Sequence, residues 1–168
     1  MLTLFKNEIN RKKATMKPEL DDELLRLHRM LKREIKKNFA SCLKLYIIDA
    51  GSCSACELEL QNLFNPLYNI SKVGIEVVYN IEEAEMLLLT GLITENMYDE
   101  LSQQYKKLKA PKHLILIGDC PLGESVFKNT FAIKGYRKQE FLNAYNIVGC
   151  PPDPRLLLRG ILKYLESL

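Results

Sequence analysis

Leu43-Lys44-Leu45-Tyr46-Ile47-Ile48-Asp49-Ala50-Gly51-Ser52-Cys53-Ser54-Ala55-Cys56 holds the reading of the fold. Leu43–Ile48 is a short apolar run closed by a Gly-Ser turn, which predicts a strand. Cys56–Phe64 then suits a helix, so the stretch opens a strand–loop–helix unit with two cysteines in the loop. The same alternation continues downstream. Ile75–Tyr79, Met86–Thr90, Leu114–Ile117 and Tyr145–Val148 read as strands. Thr94–Leu108 reads as an amphipathic helix with Thr94 as its N-cap. Asp153-Pro154 opens a last helix, with the acid as cap and proline at the first helical position. Alternation of this kind predicts an α/β fold with an open, mainly parallel sheet and helices on both faces.

Upstream of that unit the chain changes character. Residues 1–18 are polar and unpatterned and read as a flexible tail. Over 19–40, Leu20, Leu24, Leu27, Leu31 and Ile35 form one apolar stripe of a basic amphipathic helix, with acids leading and lysines trailing. Residues 1–40 hold 11 Lys+Arg against 6 Asp+Glu, a net of +5, whereas residues 41–168 hold 13 against 15, a net of −2. Three placements of the basic helix stay open: on its own domain, on a partner subunit, or at an anionic membrane surface. The aromatics in this segment are Phe5 and Phe39 alone, so nucleic acid is not an expected partner. Residues 41–168 are expected to form the single folded domain.

With 47% hydrophobic and 27% charged residues, the composition excludes a wholly disordered or fibrous chain. No apolar run approaches the length of a membrane span, and no export leader is read at the start. A cytosolic setting is therefore expected, where disulfides are rare and five cysteines need another use.

Four of the five share one address. Cys53 and Cys56 follow the first expected strand, Cys120 follows Leu114–Ile117, and Cys150 follows Tyr145–Val148. In an open parallel sheet, the loops after the strands lie on one edge, where ligands bind. Four thiols distant in sequence would meet there, a donor set for a [4Fe–4S] cluster or for structural zinc. A redox dithiol would use Cys53 and Cys56 and leave Cys120 and Cys150 unexplained. Gly51, Gly118, Gly149 and Gly91 would let backbone approach the bound group. Cys42, before the first strand, belongs to the opposite edge. His28 and His113 stand outside any ligand motif. Asp119, next to Cys120, is a candidate to tune the site, with service to its turn the favoured reading. Tyr68, Tyr98, Tyr105 and Tyr164 are expected in packing or at an interface.

These motifs resemble the small, cluster-bearing subunit shared by [NiFe] hydrogenases and respiratory complex I, over roughly residues 33–168. Gly51-Ser52-Cys53-Ser54-Ala55-Cys56-Glu57-Leu58-Glu59 is similar to the first cluster motif, and Gly149-Cys150-Pro151-Pro152-Asp153-Pro154 to the last. Phe64-Asn65-Pro66-Leu67-Tyr68 and Glu83–Gly91 resemble the stretches between. Complex I subunits place the first two cysteines side by side; here two residues part them, as in hydrogenases. With no C-terminal extension for further clusters, the chain most resembles the membrane-bound, energy-converting hydrogenases, including the formate hydrogenlyase type. One departure stands at Glu124 and Ser125, where the family has glycines; Phe127 is retained and Gly123 comes one position earlier.

The resemblance implies a flavodoxin-like domain with one proximal [4Fe–4S] cluster on Cys53, Cys56, Cys120 and Cys150. It implies a non-catalytic electron-transfer subunit of an oxidoreductase complex, relaying single electrons between a large-subunit nickel–iron site and a ferredoxin-like two-cluster subunit. The large subunit would be of the complex I 49 kDa kind, with membrane-arm subunits completing the complex. The chain would sit peripherally on the cytoplasmic side of the cell membrane, with no span of its own. Two alternatives remain: the same subunit in a nickel-free complex that passes electrons to quinone or another carrier, and a zinc-stabilised binding module. Glu59 stands where the family has an acid and is a candidate for coupling proton movement to electron transfer. Glu57 reads as a solvated or first-turn helix acid, and Arg155 and Arg159 as partners for acids of another subunit.

Overall fold

A computed structural model of the chain describes residues 21–125, 127, 130–136, 141 and 144–168. The tail expected over 1–18 and Leu20 of the helix stripe lie outside the described residues. Helix α1 runs over Asp22–Asn38. Its start is set by Asp21, whose carboxylate accepts the Leu24 N–H at 2.8 Å. Asp22 and Glu23 fill the first turn and Lys36 and Lys37 the last, the order that suits the helix dipole.

Strands β1 (Leu43–Asp49), β2 (Ile75–Val77), β3 (Met86–Thr90), β4 (His113–Ile117) and β5 (Ala144–Ile147) form one sheet in the order β2-β1-β3-β4-β5. Every adjacent pair is parallel. This is the flavodoxin-like order, whose reversal point falls between β1 and β3. β3 and β4 are buried along their whole length, as strands covered on both faces must be. Between the strands run α2 (Ala55–Asn62), α3 (Glu95–Lys107) and α4 (Pro154–Glu166). Thr94 caps α3 by accepting the Met97 N–H, and Asp153 caps α4 by accepting those of Arg155 and Leu156.

The sheet divides the core in two. On one face α1, α2 and α4 pack Leu24, Leu31, Leu60, Leu157 and Ile161 against Leu45, Met86, Leu88 and Ile115. On the other, α3 packs Tyr98, Leu101 and Tyr105 with Phe141 against Leu87, Leu89, Leu114 and Leu116. Of the three placements for the basic helix, docking on its own domain is the one observed. α1 lies along α4, its start held to Arg155 and Arg159 and its end to Leu165, whose carbonyl accepts from Asn38 at 3.0 Å. The two helices thus run in the same direction, from the edge of the loops after the strands to the opposite edge. Glu34, buried on the inner margin of α1, is paired with Arg33 and Lys37, as a buried charge requires.

Two expectations are corrected. The strand expected over Ile75–Tyr79 ends at Val77, and Tyr79 stands 94% exposed. After Val78 donates to Leu45, the chain turns at Asn80, whose side chain accepts the Glu82 N–H at 3.1 Å. The strand expected to reach Val148 ends at Ile147, leaving Val148 exposed.

Candidate metal centre

Three loops bring the four cysteines to one sheet edge. After β1, Asp49 turns the chain by accepting the Gly51 N–H at 2.8 Å. Ser52 accepts the Ser54 N–H at 2.9 Å. Ser54 adopts the left-handed conformation, and α2 starts directly behind it. Cys53 is therefore exposed on the loop, while Cys56 in the first turn of α2 is buried. This loop locks onto the one after β3: the Leu92 N–H donates to Gly51 at 3.0 Å and the Thr94 N–H to Ala50 at 3.0 Å. A Cβ on Gly91 would meet the Ser52 nitrogen at 2.6 Å, so only glycine allows the two loops to touch.

The loops after β4 and β5 are stitched in the same way. The Gly118 N–H donates to Ile147 at 2.8 Å and the Asp119 N–H to Gly149 at 3.1 Å. The Asp119 carboxylate accepts the Gly149 N–H in return, at 2.7 Å. Asp119 thus ties the Cys120 loop to the Cys150 loop, a larger role than its own turn. Gly118 is the close approach at the centre: at φ +87°, an added Cβ would stand 2.8 Å from the Cys56 Sγ.

Cys56 and Cys120 feel their burial and the other sulfurs of this edge. Burial pushes the Cys56 thiol up to about 12, and the Glu57 carboxylate, then Cys120, Cys53 and Cys150, add to it. Cys120 is raised by burial, then by Cys150, Cys53 and Asp119, while the Ser125 hydroxyl draws it back. Four thiolates this near repel one another unless a positively charged group stands among them. Among the described residues no three His, Cys, Asp or Glu groups converge closely enough to hold a single ion. The donor set of four thiols on one edge, with glycine where a side chain would strike a sulfur, fits an iron–sulfur cluster, whose own iron and sulfide fill the space between ligands. Cys42 is placed elsewhere, raised by burial, Glu76 and Glu85 at the opposite edge.

Other expectations divide. Glu59 accepts from Asn62 Nδ2 at 3.2 Å in an exposed setting. Glu57 is the first-turn acid of α2, one of the two settings expected, but it is not solvated: both its carboxylate oxygens are buried and lack a hydrogen-bond partner. It lines a cleft of about 800 Å³ with Tyr46, Ile47, Leu60, Phe64 and Val77. The signal was in the spacing, since Glu57, Leu60 and Phe64 fall on one helical stripe. Arg155 and Arg159 do not wait for another subunit: Arg155 pairs with Asp21 and Glu23, and Arg159 with Glu23. His113 is buried and bonded to the Tyr164 hydroxyl at 2.9 Å, a packing role. His28 sits half-buried on the inner side of α1, its Nε2 without a partner. Tyr98, Tyr105 and Tyr164 are core residues and Tyr68 packs against the core. Ser125, at a position where glycine was expected, places its hydroxyl beside Cys120.

A family model described as the NADH ubiquinone oxidoreductase 20 kDa subunit matches residues 53–164, from the first cysteine of the site to the last helix. A probable membrane-bound hydrogenase subunit of Pyrococcus furiosus is 30% identical, over 74% of this chain and 74% of its own. Formate hydrogenlyase subunit 7 of Escherichia coli is 28% identical over 89% of this chain, which spans 57% of that protein. Among solved structures, a chain of the membrane-bound sulfane sulfur reductase, an archaeal respiratory membrane complex, superposes with a TM-score of 0.63. It is 20% identical and covers 88% of this chain and 76% of its own, a likeness of fold.

Proposed function

The chain belongs to the NADH ubiquinone oxidoreductase 20 kDa subunit family, and we propose that it is the electron-relay subunit of a membrane-associated [NiFe] hydrogenase complex. Cys53, Cys56, Cys120 and Cys150 are the ligands of one [4Fe–4S] cluster in this reading. The observation that carries it is the placement of four cysteines, spread over nearly a hundred residues, in the loops after β1, β4 and β5 on one sheet edge, where Gly118 leaves room beside the Cys56 sulfur. A cluster held there supplies a one-electron carrier.

The residues of the chain do the rest. The stitched loops fix the four sulfurs relative to one another, so little rearranges when the charge at the site changes. Cys56 is buried and Cys120 half-buried, while Cys53 and Cys150 are exposed. Leu58 in α2, Phe127 and Phe131 in the segment after Cys120, and Val148 two residues before Cys150 are exposed apolar side chains on the segments that carry the cysteines, suited to contact with a large subunit. A ferredoxin-like two-cluster subunit and membrane-arm subunits complete the proposed complex, on the cytoplasmic face of the membrane. Among the described residues no helix is long and apolar enough to cross it. Glu59, partly buried and three residues after Cys56, is the proposed proton-coupling group. Replacing Glu59 by Gln should flatten the pH dependence of the site's reduction potential, and an unchanged slope removes that role.

A second reading, the equivalent subunit of a nickel-free complex that reduces quinone or another carrier, is favoured by the family's description. The two residues between Cys53 and Cys56 favour the hydrogenase. Anaerobic purification through a tag on this chain separates them. A co-purifying large subunit with nickel and hydrogen-dependent dye reduction supports the hydrogenase. A nickel-free complex with quinone reductase activity supports the second reading, and zinc without acid-labile sulfide overturns both.

A further inference from the structure

The outer face of α1 carries a row of cations. Taking about 100° per residue, the buried Leu24, Leu27, Leu31, Glu34 and Ile35 share the inner side. Arg26, Arg29, Lys32, Arg33, Lys36 and Lys37 all fall within an arc of roughly 140° centred on the opposite side. All six are exposed. Arg33 and Lys37 share the single buried Glu34, the pairs of Asp21 and Glu23 are spent on Arg155 and Arg159, and exposed Asp22 is the one acid of α1 on the same arc as the six cations. The face therefore keeps a strong positive excess in a domain that is otherwise net negative. The twenty residues before Asp21 continue the trend, with five Lys+Arg and two Asp+Glu.

We propose that this face of α1 binds the anionic phospholipid headgroups of a membrane surface. The apolar stripe of the helix is already used in the core, so the contact is electrostatic and not an insertion. Three observations favour a lipid plane over an acidic protein. The cations extend along some ~17 Å of helix axis with no fixed spacing that selects discrete carboxylates. Leu25 and Met30 stand exposed among them, at 42% and 36%, apolar side chains suited to the headgroup boundary. The helix also leads away from the cysteine edge towards the opposite side of the sheet, where Phe39 packs on His113. Lipid and a subunit docked at the cysteines do not compete. The inference does not depend on what the cysteines hold.

The test is vesicle co-sedimentation of the full chain, isolated anaerobically, with phosphatidylglycerol–phosphatidylcholine vesicles and with phosphatidylcholine alone. Binding to the anionic vesicles that weakens with salt, and little to the neutral ones, is expected. Roughly fivefold affinity per surface cation puts the loss for Arg29→Gln with Lys32→Gln at about twenty- to thirtyfold. Equal binding of the double variant and the parent, or equal binding to both vesicles, overturns the proposal. So does a chain that ignores vesicles while the double variant sheds a membrane-arm subunit from the purified complex, which would make an acidic protein the occupant. The iron and sulfide content of the double variant, read in parallel, should stay at the parent's level. A fall in that content with unchanged vesicle binding marks a failure of the site and overturns the assignment of lipid contact to these cations.

Discussion

Gly118 and Glu57 are the two residues on which the character of the site turns. An alanine at 118 would be forced into a left-handed conformation, costing on the order of 1–3 kcal/mol, and its methyl would press on the Cys56 sulfur. Gly118→Ala should therefore lower the thermal midpoint and cut the iron bound per chain well below the parent's, measured by metal analysis after anaerobic isolation. Full iron with unchanged stability would show that the close approach is not required. Glu57 places a carboxylate beside Cys56 with no hydrogen bond to spread its charge. A negative charge there opposes the arrival of an electron. Glu57→Gln should raise the reduction potential by tens of millivolts, the order expected for one charge at the margin of a protein interior. A redox titration followed by EPR reads the shift, and a potential that falls would contradict the placement. The placement of the four cysteines on one sheet edge was legible in the sequence because positions after parallel strands are a matter of topology. The burial of Glu57 was legible only as a stripe with Leu60 and Phe64, and the general preference of acids for solvent hid it.

At the scale of elements, local chemistry was readable and distant pairing was not. Asp153-Pro154 and Thr94 mark helix starts by their own side chains, and the structure keeps both. The alternation over Ile75–Tyr79 suggested a five-residue strand, yet pairing stops when Asn80 offers the backbone a turn. Arg155 and Arg159 find Asp21 and Glu23 more than 130 residues away, which no spacing rule conveys. Those pairs predict how α1 responds to pH. Asp21 is held below the usual carboxylate range by the Leu24 N–H and by Arg155, and Glu23 by Arg159. Groups depressed in the folded state add stability above their unfolded values and lose it as pH falls through their folded ones. The denaturation midpoint should therefore drop on acidification below about pH 4, and Arg155→Ala with Arg159→Ala should shrink that drop. An acid limb of the same depth in the double variant would show that the pairs do not hold α1.

The molecule as a whole is a parallel α/β sheet with four cysteines gathered on one edge. β1, β4 and β5 deliver the four thiols, β3 supplies Gly91 to close the loop beside them, and the helices fix the strands from both faces. The fold class was legible because strand, turn and helix signals alternate with little ambiguity, and β3 and β4 read as continuous apolar runs. What the sequence left open was the setting of the basic helix, a property of three-dimensional neighbours. The central claim, a single [4Fe–4S] cluster on Cys53, Cys56, Cys120 and Cys150, is tested most directly on the anaerobically purified complex. Iron and acid-labile sulfide are quantified with EPR of the reduced sample, for the parent and for Cys→Ser at each of the four positions. The account predicts that the cluster signal of this subunit, with four irons and four sulfides in the sense of that cluster type, is lost or transformed in every one of the four variants and kept in Cys42→Ser. A signal and content untouched by these substitutions, or zinc in place of iron and sulfide, would contradict it.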